Sequence, residues 1–169
     1  MPSSLDAVLY ALDARFETLS ANLAIRRATT RLAESGEILA MRTPDQIAVS
    51  GTLTNGAFIA THVRGGLSKG TNFHWEVNGT KGDLIVTSSV GYVGVGGFRL
   101  QGANEHTLHD LPIPPEYGDA FPTRGVAENV ALVYERLATD LSAESHLSPS
   151  FDDAVELHRL IDTIERRAV

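Results

Sequence analysis

The chain has 169 residues, 43% of them hydrophobic, and a formal net charge of -7. The acidic balance argues against nucleic acid or an anionic membrane as partner, since both need clustered Lys and Arg, and the absence of cysteine excludes disulfides, thiolate nucleophiles and cysteine-type zinc sites. No apolar run reaches the roughly 18 residues of a membrane span and the first residues lack a signal-peptide pattern, so the chain reads as soluble, cytoplasmic and one domain over 1–169.

Ser3 with Asp6 forms a capping signature, and Leu5, Val8, Leu9, Leu12 and Phe16 recur at helical spacing, which predicts a short amphipathic helix. Over 18–29, Leu19, Ala21, Leu23 and Ile25 alternate with polar or small residues, the period of a strand. Residues 31–41 fit either a strand or a short helix, with a turn at Gly36.

Residues 45–87 read as two consecutive hairpins. In the first, 46–54 and 57–64 flank Asn55-Gly56, a pair suited to a two-residue turn with positive φ angles. That turn sets Thr54 against Ala57, Thr52 against Ile59, Ser50 against Thr61 and Ala48 against Val63, giving one face of small and hydroxyl-bearing side chains. Ile47, Val49, Gly51, Leu53, Phe58 and Ala60 would then share the core face, which ends in a polar mouth at His62 and Arg64. The second hairpin, 72–77 with 83–87, spans Asn78-Gly79-Thr80-Lys81-Gly82, whose two glycines predict a longer, bulged turn.

Two more strands are expected at 98–101 and 107–111, and the prolines at 112, 114, 115 and 122 impose an irregular connection. Val126, Val130, Val133, Tyr134, Leu137 and Leu141 make one helical stripe, and Ala154, Leu157, Ile161 and Ile164 another, the latter preceded by a Ser150/Asp153 capping signature. The order predicts an α+β fold: an open mixed, mainly antiparallel sheet of about seven or eight strands, with helices packed on one face.

His74 and Glu76 are two apart on one predicted strand and project from the same face, where a carboxylate can orient an imidazole for proton transfer. If 65–71 is only a loop, His62 and Arg64 lie on the next strand and complete a candidate catalytic set of His74, Glu76, His62 and Arg64. Trp75, Tyr92, Tyr117, Phe121 and Lys69 are the candidate substrate contacts. The alternative for all of them is a solvated or contact surface. His62, His74 and Glu76 are zinc-compatible ligand types, but no coordination geometry is readable and no metal is assigned. The glycine runs near 65–71 and 94–97 fit neither a P-loop nor a dinucleotide fingerprint, so no cofactor is assigned either.

The segments Ser4-Leu5-Asp6-Ala7-Val8-Leu9-Tyr10-Ala11-Leu12, Asp45-Gln46-Ile47-Ala48-Val49-Ser50-Gly51, Val63-Arg64-Gly65-Gly66 and, above all, Trp75-Glu76-Val77-Asn78-Gly79-Thr80-Lys81-Gly82-Asp83-Leu84 carry a family likeness. They resemble the C-terminal domain of the glucose-fructose oxidoreductase, inositol dehydrogenase and MocA (Gfo/Idh/MocA) oxidoreductases. The resemblance implies an open sheet with helices on one face and oligomer contacts, as a homodimer or higher homo-oligomer, on the other. The family's enzymes hold their nicotinamide in a Rossmann domain ahead of this one, and no such stretch occurs in these residues, so hydride transfer does not carry over. Three readings follow. One is a substrate domain that binds a small organic molecule and performs cofactor-independent cyclisation, isomerisation or elimination. The second is a non-catalytic binding or dimerisation module, and the third is a fragment of an NAD(P)-dependent oxidoreductase.

Overall fold

The computed structural model describes residues 2–92, 97–104, 106–114 and 126–168; of Pro2 and Val126 it describes the backbone alone. The chain divides into two compact units, Met1–Gly66 with Ser150–Val169, and Leu67–Pro149. The fold is α+β, open and mainly antiparallel, as expected. Its nine strands among the described residues are divided over three sheets.

The first unit opens with helix α1 (Pro2–Ala11) and continues through strands β1 (Ser20–Ala24), β2 (Thr29–Arg31), β3 (Ile38–Ala40), β4 (Gln46–Thr52) and β5 (Phe58–Arg64). Strands β1, β4 and β5 form one antiparallel sheet in that order; β2 and β3 form a separate two-stranded ribbon. The last helix of the chain, numbered α3 below (Phe151–Arg166), returns to this unit. It starts where the sequence places it, because Ser150 and Asp153 form a reciprocal capping box. Leu5 from α1, Leu19, Ala21 and Val49 from the sheet side, and Ile164 from α3 make one buried cluster, with Leu9, Phe16, Leu23, Ile47 and Leu160 packed around it. Both helices therefore cover the same face of the sheet, the one carrying Ala21, Val49 and Leu53.

The register of the first hairpin differs from the expected one by a single residue. Val49 stands opposite Thr61, Ser50 opposite Ala60, Ala48 opposite His62 and Gln46 opposite Arg64. The cause is the turn. Leu53 N donates to Ala57 O at 2.8 Å and Gly56 N to Leu53 O at 2.8 Å, so the loop has three residues, with Gly56 alone in the left-handed region at φ 83. A one-residue slip exchanges the faces of the returning strand. Ile59, Thr61 and Val63 turn to the core side. Phe58, Ala60, His62 and Arg64 turn to the uncovered face with Ala48, Ser50 and Thr52. The polar mouth expected at the end of the core face is therefore absent from that face, and Ser50 and Thr61 do not share a contact surface.

Asp45, just before β4, is buried. Its carboxylate accepts from the backbone N–H of Arg26 (2.7 Å) and Arg27 (3.1 Å), and these bonds, led by that of Arg26, hold its pKa below the ordinary carboxylate value. It thereby fixes the corner at which β1 leaves the sheet for the ribbon.

The second unit is a meander of β6 (Phe73–Gly79), β7 (Gly82–Ser88), β8 (Arg99–Ala103) and β9 (His109–Asp110), followed by helix α2 (Val126–Ala143). The β6–β7 hairpin pairs Gly79 with Gly82, leaving Thr80-Lys81 as a two-residue tip in place of the longer bulge expected. Gly82 permits this: its φ is 148, and a Cβ there would lie 2.4 Å from the Ala103 carbonyl oxygen. In the last turn of α2, Asp140 accepts from Ser145 Oγ, Leu147 N, Ser148 N and Ser148 Oγ. The Ser148 hydroxyl contributes most to depressing the Asp140 pKa, and the four bonds close the loop that follows the helix.

Candidate functional site

Strand β6 alternates as its sequence predicts. Phe73 is buried and stacks against Trp75 (ring centroids 5.0 Å apart) and Phe98 (5.4 Å), so one face of the second sheet is aromatic and apolar. The other face is mainly polar, with Ile85 opposite Glu76. His74 Nε2 lies 3.5 Å from Glu76 Oε2, with the two side chains 52% and 50% exposed. Asn78 continues the row, donating to Glu76 Oε1 at 3.4 Å and to Asp83 Oδ1 at 3.1 Å.

Pairing extends this face across the sheet. Thr87 stands opposite His74 and Arg99 opposite Thr87, while Gln101 stands opposite Asp110. Arg99 grips Asp110 through two bonds, Nε to Oδ1 at 2.7 Å and Nη2 to Oδ2 at 3.2 Å. Those bonds lower the Asp110 pKa and raise that of Arg99. The arrangement offers an imidazole beside a carboxylate, able to hand a proton to a bound molecule, next to a guanidinium already committed to Asp110.

The structure brings His74 and Glu76 together as expected but distributes the remaining candidates elsewhere. His62 and Arg64 belong to the sheet of the first unit, and β5 and β6 are not hydrogen-bonded neighbours. There His62 Nε2 lies 3.1 Å from Gln46 Oε1, its diagonal neighbour on β4. Trp75 points to the aromatic face, away from His74 and Glu76. Lys69 and Tyr92 are exposed beside the ends of the second sheet's first hairpin. Tyr117 and Phe121 lie outside the described residues. Among the described residues no three His, Asp or Glu side chains converge as metal ligands, and no helix is long and apolar enough to cross a membrane.

Two features escaped sequence reading. Asn72 organises the loop that carries Lys69: its Oδ1 accepts from Ser68 N at 2.6 Å, and its Nδ2 donates to Ser68 O at 3.1 Å and Ser89 O at 2.7 Å. Asparagine after Gly70-Thr71 was the available signal, since its side chain bonds nearby backbone in turns. The other is a groove of about 730 Å³ in the first unit, between α1 and α3, whose rim includes Asp6, Asp13, Asp153 and Glu156. No periodicity links carboxylates 150 positions apart, so nothing local announced it.

A family model of the C-terminal domain of Gal80p matches residues 3–88. No curated protein matches the chain in sequence. Among solved structures, a super-repressor mutant of Gal80p from Saccharomyces cerevisiae is similar over 98% of this chain and 46% of its own, with TM-score 0.81 and 19% identity. The transcriptional regulator Gal80p of Kluyveromyces lactis is similar over 98% and 42%, with TM-score 0.77 and 22% identity. Aldose-aldose oxidoreductase from Caulobacter crescentus, complexed with glycerol, is similar over 99% and 43%, with TM-score 0.68 and 15% identity. The chain thus spans less than half the length of each structure. At these identities the likeness is one of fold, and it is the oxidoreductase C-terminal fold that the sequence segments pointed to.

Proposed function

Because the chain belongs to the family of Gal80p C-terminal domains, we propose that it works as an association module of a regulatory protein, using the uncovered face of the β1–β4–β5 sheet to bind a second copy. The observation that carries this is Phe58, 74% exposed on the face of the sheet opposite to the one that the helices cover at Ala21 and Val49. Around it the same face holds Ala60, Ser50 and Thr52, small side chains that let a second sheet approach closely, and His62 and Arg64 toward the strand end. An exposed aromatic, here at the start of the edge strand β5, beside small and polar side chains is a usual composition of a specific interface. The Kluyveromyces lactis relative is described as a transcriptional regulator, which agrees with a protein that acts by association.

Light scattering after size exclusion tests this. Wild type is expected as a homodimer or larger, and Phe58→Glu as a smaller species with an unchanged thermal midpoint, because the side chain contributes little to the core. Equal masses for the two proteins would remove the face from consideration. Thr61→Arg, which an unshifted register would make the natural disruptor, is expected to destabilise the fold instead, since Thr61 lies on the core side.

A second reading is favoured by the 3.5 Å His74–Glu76 pair on the sheet face that also carries Thr87, Arg99 and Gln101. That face would bind a small organic molecule, with His74 as proton donor or acceptor, Glu76 orienting it, and Lys69 and Tyr92 as neighbouring contacts. Thermal shift against a panel of sugars and organic acids checks it. A stabilising compound should lose its effect on His74→Ala and on Glu76→Ala, and retention of the full shift in both variants excludes the pair as the site.

A further inference from the structure

The β2–β3 ribbon and the groove between α1 and α3 belong to the same unit, and they are complementary in charge and polarity. In the ribbon, the ladder Thr29–Ala40, Thr30–Leu39 and Arg31–Ile38 is prolonged by a bond from Met41 N to Ala28 O of 2.9 Å. The pleat therefore sets Thr29, Arg31, Ile38 and Ala40 on one face, with Arg42 next along it, whereas the Arg27 guanidinium is turned to Asp45, 4.0 Å from its carboxylate. All six strand residues are exposed, Ile38 at 60%. A two-stranded ribbon is marginally stable alone in water, so a ribbon with an apolar centre and two arginines, Arg31 and Arg42, on one face is expected to be covered in use.

The groove supplies the matching surface. Four carboxylates and two arginines line it: Glu156 is bonded to Arg159 and Asp153 to the Ser150 cap, which leaves Asp6 and Asp13 of α1 and its C-terminal turn as the acidic side of the groove, and Leu9 and Leu160 form part of its apolar floor. A chain does not offer this groove to its own ribbon. The ribbon leaves the sheet beside Asp45, where Asp45 N donates to Ala24 O, whereas the groove is walled by Arg15 and Thr54, beyond the far end of β4. The seven residues of β4 separate the two by roughly 20 Å.

We propose that two copies associate antiparallel, the basic face of each β2–β3 ribbon seated in the acidic α1–α3 groove of the other. Each copy gives and receives one ribbon, so the contact closes on itself as a two-fold pair. Ile38 reaches the apolar floor and Arg31 and Arg42 meet the carboxylate rim. This contact goes beyond the Phe58 face and is independent of it; both together would build a higher homo-oligomer.

The cysteine-free chain permits a direct test. Ile38→Cys and Tyr10→Cys, the latter at an exposed residue of the groove, are placed in separate copies carrying Phe58→Glu, one copy isotope-labelled, then mixed under mild oxidation. The expected product is the mixed disulfide, well above a control pair of Ile38→Cys with Leu67→Cys, and reduced about tenfold by Arg42→Glu or by high salt, which screens exposed charges. If Ile38→Cys fails to fold by circular dichroism, Ala40→Cys, exposed on the same ribbon face, takes its place. A mixed disulfide no more abundant than the control overturns the proposal, as does retention of a duplex DNA probe by the ribbon in place of a second copy. Because every copy carries Phe58→Glu, failure here is separate from failure of the sheet-face contact.

Discussion

Replacing Gly51 with alanine is expected to lower the thermal midpoint by about 10 °C or more, because among the described glycines it is the one where an added methyl group meets the closest backbone atom. Gly51 faces the core side of β4, and a Cβ there would lie 2.0 Å from the Thr18 carbonyl oxygen and 2.9 Å from its carbon. Both are backbone atoms, so no side-chain rotation relieves the clash. Nor is Thr18 free to retreat. Glu17 N and Thr18 N donate to Thr52 O at 2.9 and 3.3 Å, Thr52 N donates to Thr18 Oγ1 at 3.1 Å, and the two threonine hydroxyls meet at 2.7 Å. Overpacking costs about 1–3 kcal/mol and each of these bonds, once broken, about 1 kcal/mol more, which together approach on the order of 4 kcal/mol. A domain holds only about 5–15 kcal/mol in total. Calorimetry of Gly51→Ala beside Gly70→Ala, where a Cβ would meet nothing within 4 Å, provides the comparison. Similar midpoints for the two variants would show that the 16–19 crossing over β4 gives way more easily than its bonds imply.

The same crossing shows where sequence reading stops. Gly51 sits in a strand pattern and reads as a modest weakness; what makes it indispensable is a backbone 33 positions earlier. Local devices were legible because their partners lie within a few residues. The Ser150 and Asp153 cap, the alternation of Phe73, His74, Trp75 and Glu76, and the existence of both hairpins are of this kind. Register was not. Asn55-Gly56 is compatible with a two-residue turn and with a three-residue loop, and only the conformation of Gly56 decides between them. That single residue moved Phe58, His62 and Arg64 from the expected core face to the uncovered one, and so turned an expected pocket mouth into a proposed contact surface. Which strand ends join which sheet is also invisible in a periodicity. Hence His62 with Arg64 and His74 with Glu76 could be read as neighbours, although they belong to different sheets.

Ile164→Ala is expected to cost about 3 kcal/mol, because the side chain is fully buried and truncation of such residues removes transfer energy and leaves a cavity. In a chain of this length that shifts the midpoint by about 6–12 °C. The consequence differs from an ordinary core truncation. Helix α3 is separated in sequence from the rest of its unit by residues 67–149 and is held there chiefly by Leu160, Ile164 and Ala168, the last bridging to Ala21 of β1. If α3 is part of one cooperative unit, Ile164→Ala lowers the protection of β1 and β4 amides from hydrogen exchange together with that of α3, and a single transition remains. If α3 docks as an independent element, its amides alone lose protection and the sheet retains its midpoint. The first outcome is expected, since Leu5, Ala21, Val49 and Ile164 form one buried cluster that joins both helices to the sheet. Val155→Ala, on the same helix but 46% exposed, should change the midpoint by less than about 3 °C. A comparable drop in both variants would locate the sensitivity in the helix's own propensity and not in its seat on the sheet.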